Sequence, residues 1–115
     1  MMKLTREDDR FYEILGPVFG SRVIQRVTTD RFYDDEGKTW YLDMDEKGDI
    51  LYVFSVKKHV LKNIYVGDAD AAVAGLKEAK EDIKSGRVTK LYESLYKEAG
   101  FLVKDYSVNY VDIVG

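Results

Sequence analysis

The chain contains no cysteine, so neither a disulfide nor a thiolate-bound metal can be part of it. That composition suits a reducing compartment, and the cytoplasm is the expected location. There is one histidine, His59, which excludes a multi-histidine metal site, and no Ser–His–Asp spacing stands out. No apolar run approaches the ~18 residues that a membrane span requires. Charged residues fill positions 6 to 10, where a signal peptide would need an apolar core. Basic residues are not in excess: 18 Lys and Arg stand against 21 Asp and Glu, for a net charge of −3. Nucleic-acid binders concentrate basic charge, whereas Lys57-Lys58 is the one adjacent basic pair here and looks like an exposed hairpin tip. Nucleic acid and membrane are therefore not expected partners.

What remains is a chain of 115 residues, 45% hydrophobic and 13% aromatic, with Tyr contributing nine of the fifteen aromatics. That is enough for one core, and residues 1–115 are read as a single domain. Tyrosine buries a large ring and keeps a polar tip, which suits sheet faces and pocket walls.

Thr5 and Asp8 have the spacing of a capping box. Phe11, Ile14, Leu15 and Val18 follow as a helical stripe, which Pro17 should kink or end. A second short helix over about 21–28 is expected to bury Val23, Ile24 and Val27. Residues 30–38 read as a loop. Thr39–Met44 alternates as a strand with Trp40, Leu42 and Met44 on one face. After a turn in which Gly48 can take positive φ, Ile50–Val56 is apolar on both faces, as a central strand should be. A turn at Lys57–His59 leads to a third strand, Leu61–Val66. Asp68 can cap a helix extending to about Ser85, with Ala72, Leu76, Ala79 and Ile83 as its buried stripe. A last helix with Leu91, Leu95 and Ala99 on one face ends at Gly100. From Phe101 a strand pattern alternates Val108, Tyr110 and Asp112 with Asn109, Val111 and Ile113. The expectation is an α+β domain with a mixed, mainly antiparallel sheet flanked by helices, in the order ααβββαα and then one or two strands.

That order, together with Tyr96-Lys97-Glu98-Ala99-Gly100-Phe101, resembles the GNAT (GCN5-related N-acetyltransferase) superfamily. Tyr96, Gly100 and Phe101 match its Tyr-x-x-x-Gly-Phe element, and Lys62-Asn63-Ile64-Tyr65-Val66 looks like its fourth strand. The resemblance covers nearly the whole chain and implies acetyl-CoA as cofactor. It also implies that backbone groups of Ile64 and Val66 hold the cofactor and that Tyr96 protonates the departing thiolate. The acceptor would be a small-molecule amine or a protein amino group.

The sequence departs from the family at two places. The loop that should cradle the coenzyme A pyrophosphate, Arg/Gln-x-x-Gly-x-Gly/Ala, is replaced by Gly67-Asp68-Ala69-Asp70-Ala71-Ala72-Val73-Ala74-Gly75. It lacks the basic residue and the paired glycines, and it adds two carboxylates. At ~6 Å and an effective dielectric of ~20, each unit pair of like charges repels by ~3 kcal/mol before screening. Between Ser85 and Leu91, where the family has a further strand, only Arg87–Thr89 keeps strand character.

Each candidate has a structural reading beside the functional one. Tyr96 could pack on its helix stripe beside Tyr92 instead of acting as an acid. Asp34, Asp35 and Glu36 could attract an amine, or simply form a solvated loop. His59 reads as a turn residue, and Trp40 and Phe54 as sheet core. Three accounts follow: an amine acetyltransferase, a non-catalytic ligand- or protein-binding or homodimerising module on the same scaffold, and an unrelated α+β domain.

Overall fold

A computed structural model describes all 115 residues. In chain order the elements are β1 (Met2–Leu4), α1 (Phe11–Phe19), α2 (Arg22–Thr28), β2 (Thr39–Met44), β3 (Ile50–Lys57), β4 (Val60–Val66) and α3 (Ala69–Glu78). They continue with β5 (Ser85–Thr89), α4 (Glu93–Glu98), β6 (Leu102–Asp105) and β7 (Tyr110–Val114). One seven-stranded sheet runs β1-β2-β3-β4-β5-β7-β6, antiparallel except where β4 meets β5. The mixed sheet with flanking helices is the α+β architecture expected.

The alternation of β2 and β3 explains the three layers. Tyr41, Tyr52, Phe54 and Val56 face α3 and α4, in a core with Leu76, Tyr96, Val111 and Ile113. Trp40, Leu42 and Val53 face the other way and pack on Phe11, Leu15 and Val18 of α1 and Ile24 of α2. Because both faces of β3 are covered, both must be apolar. Helix α3 lies close to the sheet because Gly75 opposes the Tyr52 ring: a Cβ there would sit 2.5 Å from the ring carbon Cζ.

Several local expectations are corrected. β1 adds an N-terminal edge strand, pairing Met2–Leu4 with Trp40–Leu42. Pro17 does not end α1, which continues to Phe19; only two helical residues follow it, so its missing N–H costs one intrahelical bond close to the C-terminal end. In α2 the buried residues are Ile24 and Thr28, while Val23 and Val27 are exposed. Helix α3 stops at Glu78 and is followed by a 3-10 turn at Lys80–Asp82. Leu91 is exposed, and Tyr92, Tyr96 and Ala99 carry the buried stripe around α4 instead. Gly100 ends that helix at φ 97°, a left-handed conformation that suits glycine.

The largest correction is β5. It is a complete five-residue strand, pairing in parallel with β4 and antiparallel with β7. Its Gly86 is required by close approach, since a Cβ would lie 2.9 Å from the Leu61 carbonyl oxygen.

Candidate functional site

The parallel pairing of β4 and β5 is confined to Val60↔Ser85 and Leu61↔Gly86. Just beyond, β4 carries an extra residue: Val56 faces Leu61 and Ser55 faces Asn63, so Lys62 bulges out. The bulge bends β4, and the two strands part company toward their C-terminal ends. This wedge, between Asn63–Val66 and Val88–Thr89, is the candidate site.

On the α3/α4 side two tyrosines fill it. Tyr92 is buried, and its hydroxyl oxygen accepts the Val66 N–H at 3.1 Å. Burial raises its pKa, and the backbone donor acts in the opposite sense. Tyr96 is fully buried, and its hydroxyl donates to the Thr89 carbonyl at 2.8 Å. Burial pushes that hydroxyl far above the ordinary tyrosine range. Ile64 is buried beneath them in the same core. The expected catalytic and cofactor-holding groups are thus brought together, with the Tyr96 proton and the Val66 N–H both engaged within the protein.

The turn from β4 into α3 is equally self-contained. The N–H groups of Gly67 and Asp68 both donate to the Leu51 carbonyl, each at 2.8 Å. Leu51 can receive them because β3 bulges there, with Asp43 facing Tyr52 and Met44 facing Ile50. Gly67 serves this packing, since a Cβ would come within 2.6 Å of the Ile50 carbonyl. Asp68 caps α3 by accepting the Ala71 N–H at 2.9 Å, and Asp70 occupies the first turn. An N-terminus with two backbone donors committed and two carboxylates in place does not fit a pyrophosphate.

The opposite face of the wedge holds a buried polar network that the sequence reading missed. Asn63 accepts from Lys38 Nζ at 3.0 Å and from Ser55 Oγ at 2.8 Å, and donates to Asp30 Oδ2 at 2.8 Å. Lys38, Ser55 and Asn63 are all buried. Burial lowers the Lys38 pKa, while Asp35, with a carboxylate oxygen 3.5 Å from Nζ, acts against that shift. The ammonium also lies 5.5 Å from the Trp40 ring centre. The one available signal was an asparagine inside an apolar strand, where amides are disfavoured without a partner. The network fastens the α2–β2 connection over β4.

The other candidates lie apart from the wedge. Asp34 bonds Tyr12 and pairs with Arg6, which ties this loop to α1 and the segment before it, and Asp35 turns to Lys38 at the loop's own end. His59 sits in the β3–β4 turn, with Nδ1 3.1 Å from the Asp82 carbonyl. Trp40 and Phe54 are core residues.

No family model matches the chain, and neither does any curated protein. Among solved structures, it is similar to a mutant of the Vibrio cholerae spermidine N-acetyltransferase SpeG. That match has 13% identity and TM-score 0.51, and covers 98% of this chain and 93% of the other. A chimera of the Vibrio cholerae enzyme matches at 12% identity and TM-score 0.52, over 99% and 95%. TofI in an apo form matches at 13% and 0.50, over 99% and 91%. At such identities the likeness shows the fold alone. The chain has the GNAT fold.

Proposed function

We propose that this chain is a ligand-binding module on the GNAT scaffold, with the acyl-CoA wedge closed by its own side chains. The observation that carries this reading is the Tyr92 hydroxyl on the Val66 N–H, which occupies the backbone donor a pantetheine arm would use. The committed donors of Gly67 and Asp68 support it from the phosphate end. The exposed side chains of Leu102, Tyr106, Val108 and Val114 around the C-terminal hairpin support the expectation of a homodimer, which sedimentation would test.

A second reading, transfer of an acetyl group to a primary amine, is favoured by the parted β4 and β5 and by the fold shared with spermidine N-acetyltransferases. It would need Tyr92 and Tyr96 to give up their internal bonds. The two readings separate in one assay: acetyl-CoA with a panel of primary amines including spermidine, followed by free thiol release. The chain has no cysteine, so the protein adds no background. The module reading predicts no release above buffer. Turnover that saturates in the amine and is lost in Tyr96→Phe would establish the enzyme instead.

A further inference from the structure

Outside the wedge, beside the loop that Asn63 holds down, a groove of about 560 Å³ is lined by Arg22, Gln25, Arg26, Thr29, Asp30 and Arg31. No apolar side chain contributes to it. Arg22 and Arg26 stand one turn apart on α2. Arg31 follows the left-handed Thr29, which turns the chain after the helix, and its guanidinium lies 5.4 Å from the Tyr33 ring centre. None of the three makes an ion pair, although the other arginines, Arg6, Arg10 and Arg87, all do. In a chain of net charge −3, three guanidiniums without a carboxylate partner are gathered on one groove.

The single carboxylate in the lining faces inward. Asp30 Oδ2 accepts from Asn63 and Oδ1 accepts the Arg31 N–H at 2.9 Å. The C-terminal end of α2 brings roughly half a negative charge at most, and a helix of seven residues brings less. Three positive charges outweigh both.

From this placement we infer that the groove binds a small molecule through an oxyanion group, a phosphate or a carboxylate. Guanidinium forks match the paired oxygens of such groups, and a polar lining suits a densely charged ligand. A duplex would require a longer basic track, and the net negative surface would repel its flanks. The groove opens outside the wedge and meets it at Asp30, which lines the groove and accepts from Asn63; the anion would be held by the arginines and requires no coenzyme A.

The test is calorimetric titration of the full chain, at low ionic strength, with inorganic tripolyphosphate, citrate and a short DNA duplex. Arg22→Gln and Arg26→Gln alter exposed side chains, and Arg10→Gln, whose arginine pairs with Glu13, removes one charge elsewhere. The expected result is saturable binding of one anion per chain, weakened about 10-fold by either groove variant and unchanged by Arg10→Gln. Tighter tripolyphosphate binding assigns the site to phosphates, and tighter citrate binding assigns it to carboxylates; both uphold the inference. No saturable heat at millimolar anion would overturn it. So would equal weakening by Arg10→Gln, which would mean diffuse charge attraction. A duplex that binds more tightly than either anion and is lost in Arg26→Gln would replace the small ligand with nucleic acid.

Discussion

Tyr92→Phe separates the two ends of the closed wedge. The substitution keeps the buried ring and removes only the oxygen that accepts the Val66 N–H at 3.1 Å. A buried donor left without a partner costs ~1–3 kcal/mol. Val66 is only half-buried, so water can recover part of that loss, and the cost should be about 1 kcal/mol. For a chain of 115 residues that lowers the thermal midpoint by about 4 °C. The variant also frees the backbone donor that a pantetheine arm would need. Acetyl-CoA should still fail to bind, because the other obstacle is untouched: Asp68 and Asp70 each oppose a phosphate charge by ~3 kcal/mol at ~6 Å before screening. The assays are thermal unfolding by circular dichroism and calorimetry with acetyl-CoA. An unchanged midpoint would refute the role given to the hydrogen bond. Saturable acetyl-CoA binding in the variant would refute the claim that the α3 N-terminus excludes the phosphates.

Gly75→Ala sets helix propensity, worth up to ~1 kcal/mol in favour of alanine, against overpacking on Tyr52, which costs ~1–3 kcal/mol. With the new Cβ 2.5 Å from a fully buried ring, overpacking should win, and urea unfolding should show net destabilisation of roughly 1–2 kcal/mol. Tyr41 and Tyr52 both have pKa values raised by burial to about 12. Their stabilising contribution is whole below the unfolded value near 10 and is lost as pH climbs toward 12. Stability should therefore fall across that window, and Tyr52→Phe should flatten the fall when chemical denaturation is repeated at stepped pH. Asn63→Leu would strip Lys38 of a buried acceptor and leave Asp30 without its amide donor. It should destabilise by about 2–4 kcal/mol, and a change under 0.5 kcal/mol in the same urea assay would count against a structural role for the network.

Legibility in the sequence followed the range of the cause. Local chemistry read well: the two-sided apolarity of β3, Asp68 as a cap, the turn at Lys57–His59 and the left-handed Gly100 all appear in the structure. The first half of β5 is hidden in the sequence because Ser85-Gly86 looks like the end of a helix and glycine is disfavoured in strands, which leaves only Arg87–Thr89 with strand character. Its glycine is needed only because Leu61 and Ile113 press from either side. In α2 the sheet, and not the apolar stripe, decides which side is covered, so Val23 and Val27 lie outside. At the wedge, Tyr96 and Val66 were found by pattern, but what engages them was not. The partner of Val66 is 26 residues away, and the Asn63 network joins residues 25 and 33 apart. The arginine groove depends on the turn at Thr29, which no periodicity announces.

Closure of the wedge can be tested directly by a thermal-unfolding titration of the wild-type chain. Acetyl-CoA and free coenzyme A would each be raised to millimolar concentration. A ligand present at ~100 times its dissociation constant adds ~2.7 kcal/mol to the folded state, worth ~10 °C in a chain of this size. A closed wedge gives a flat midpoint with both ligands. A saturable rise with either one would contradict it.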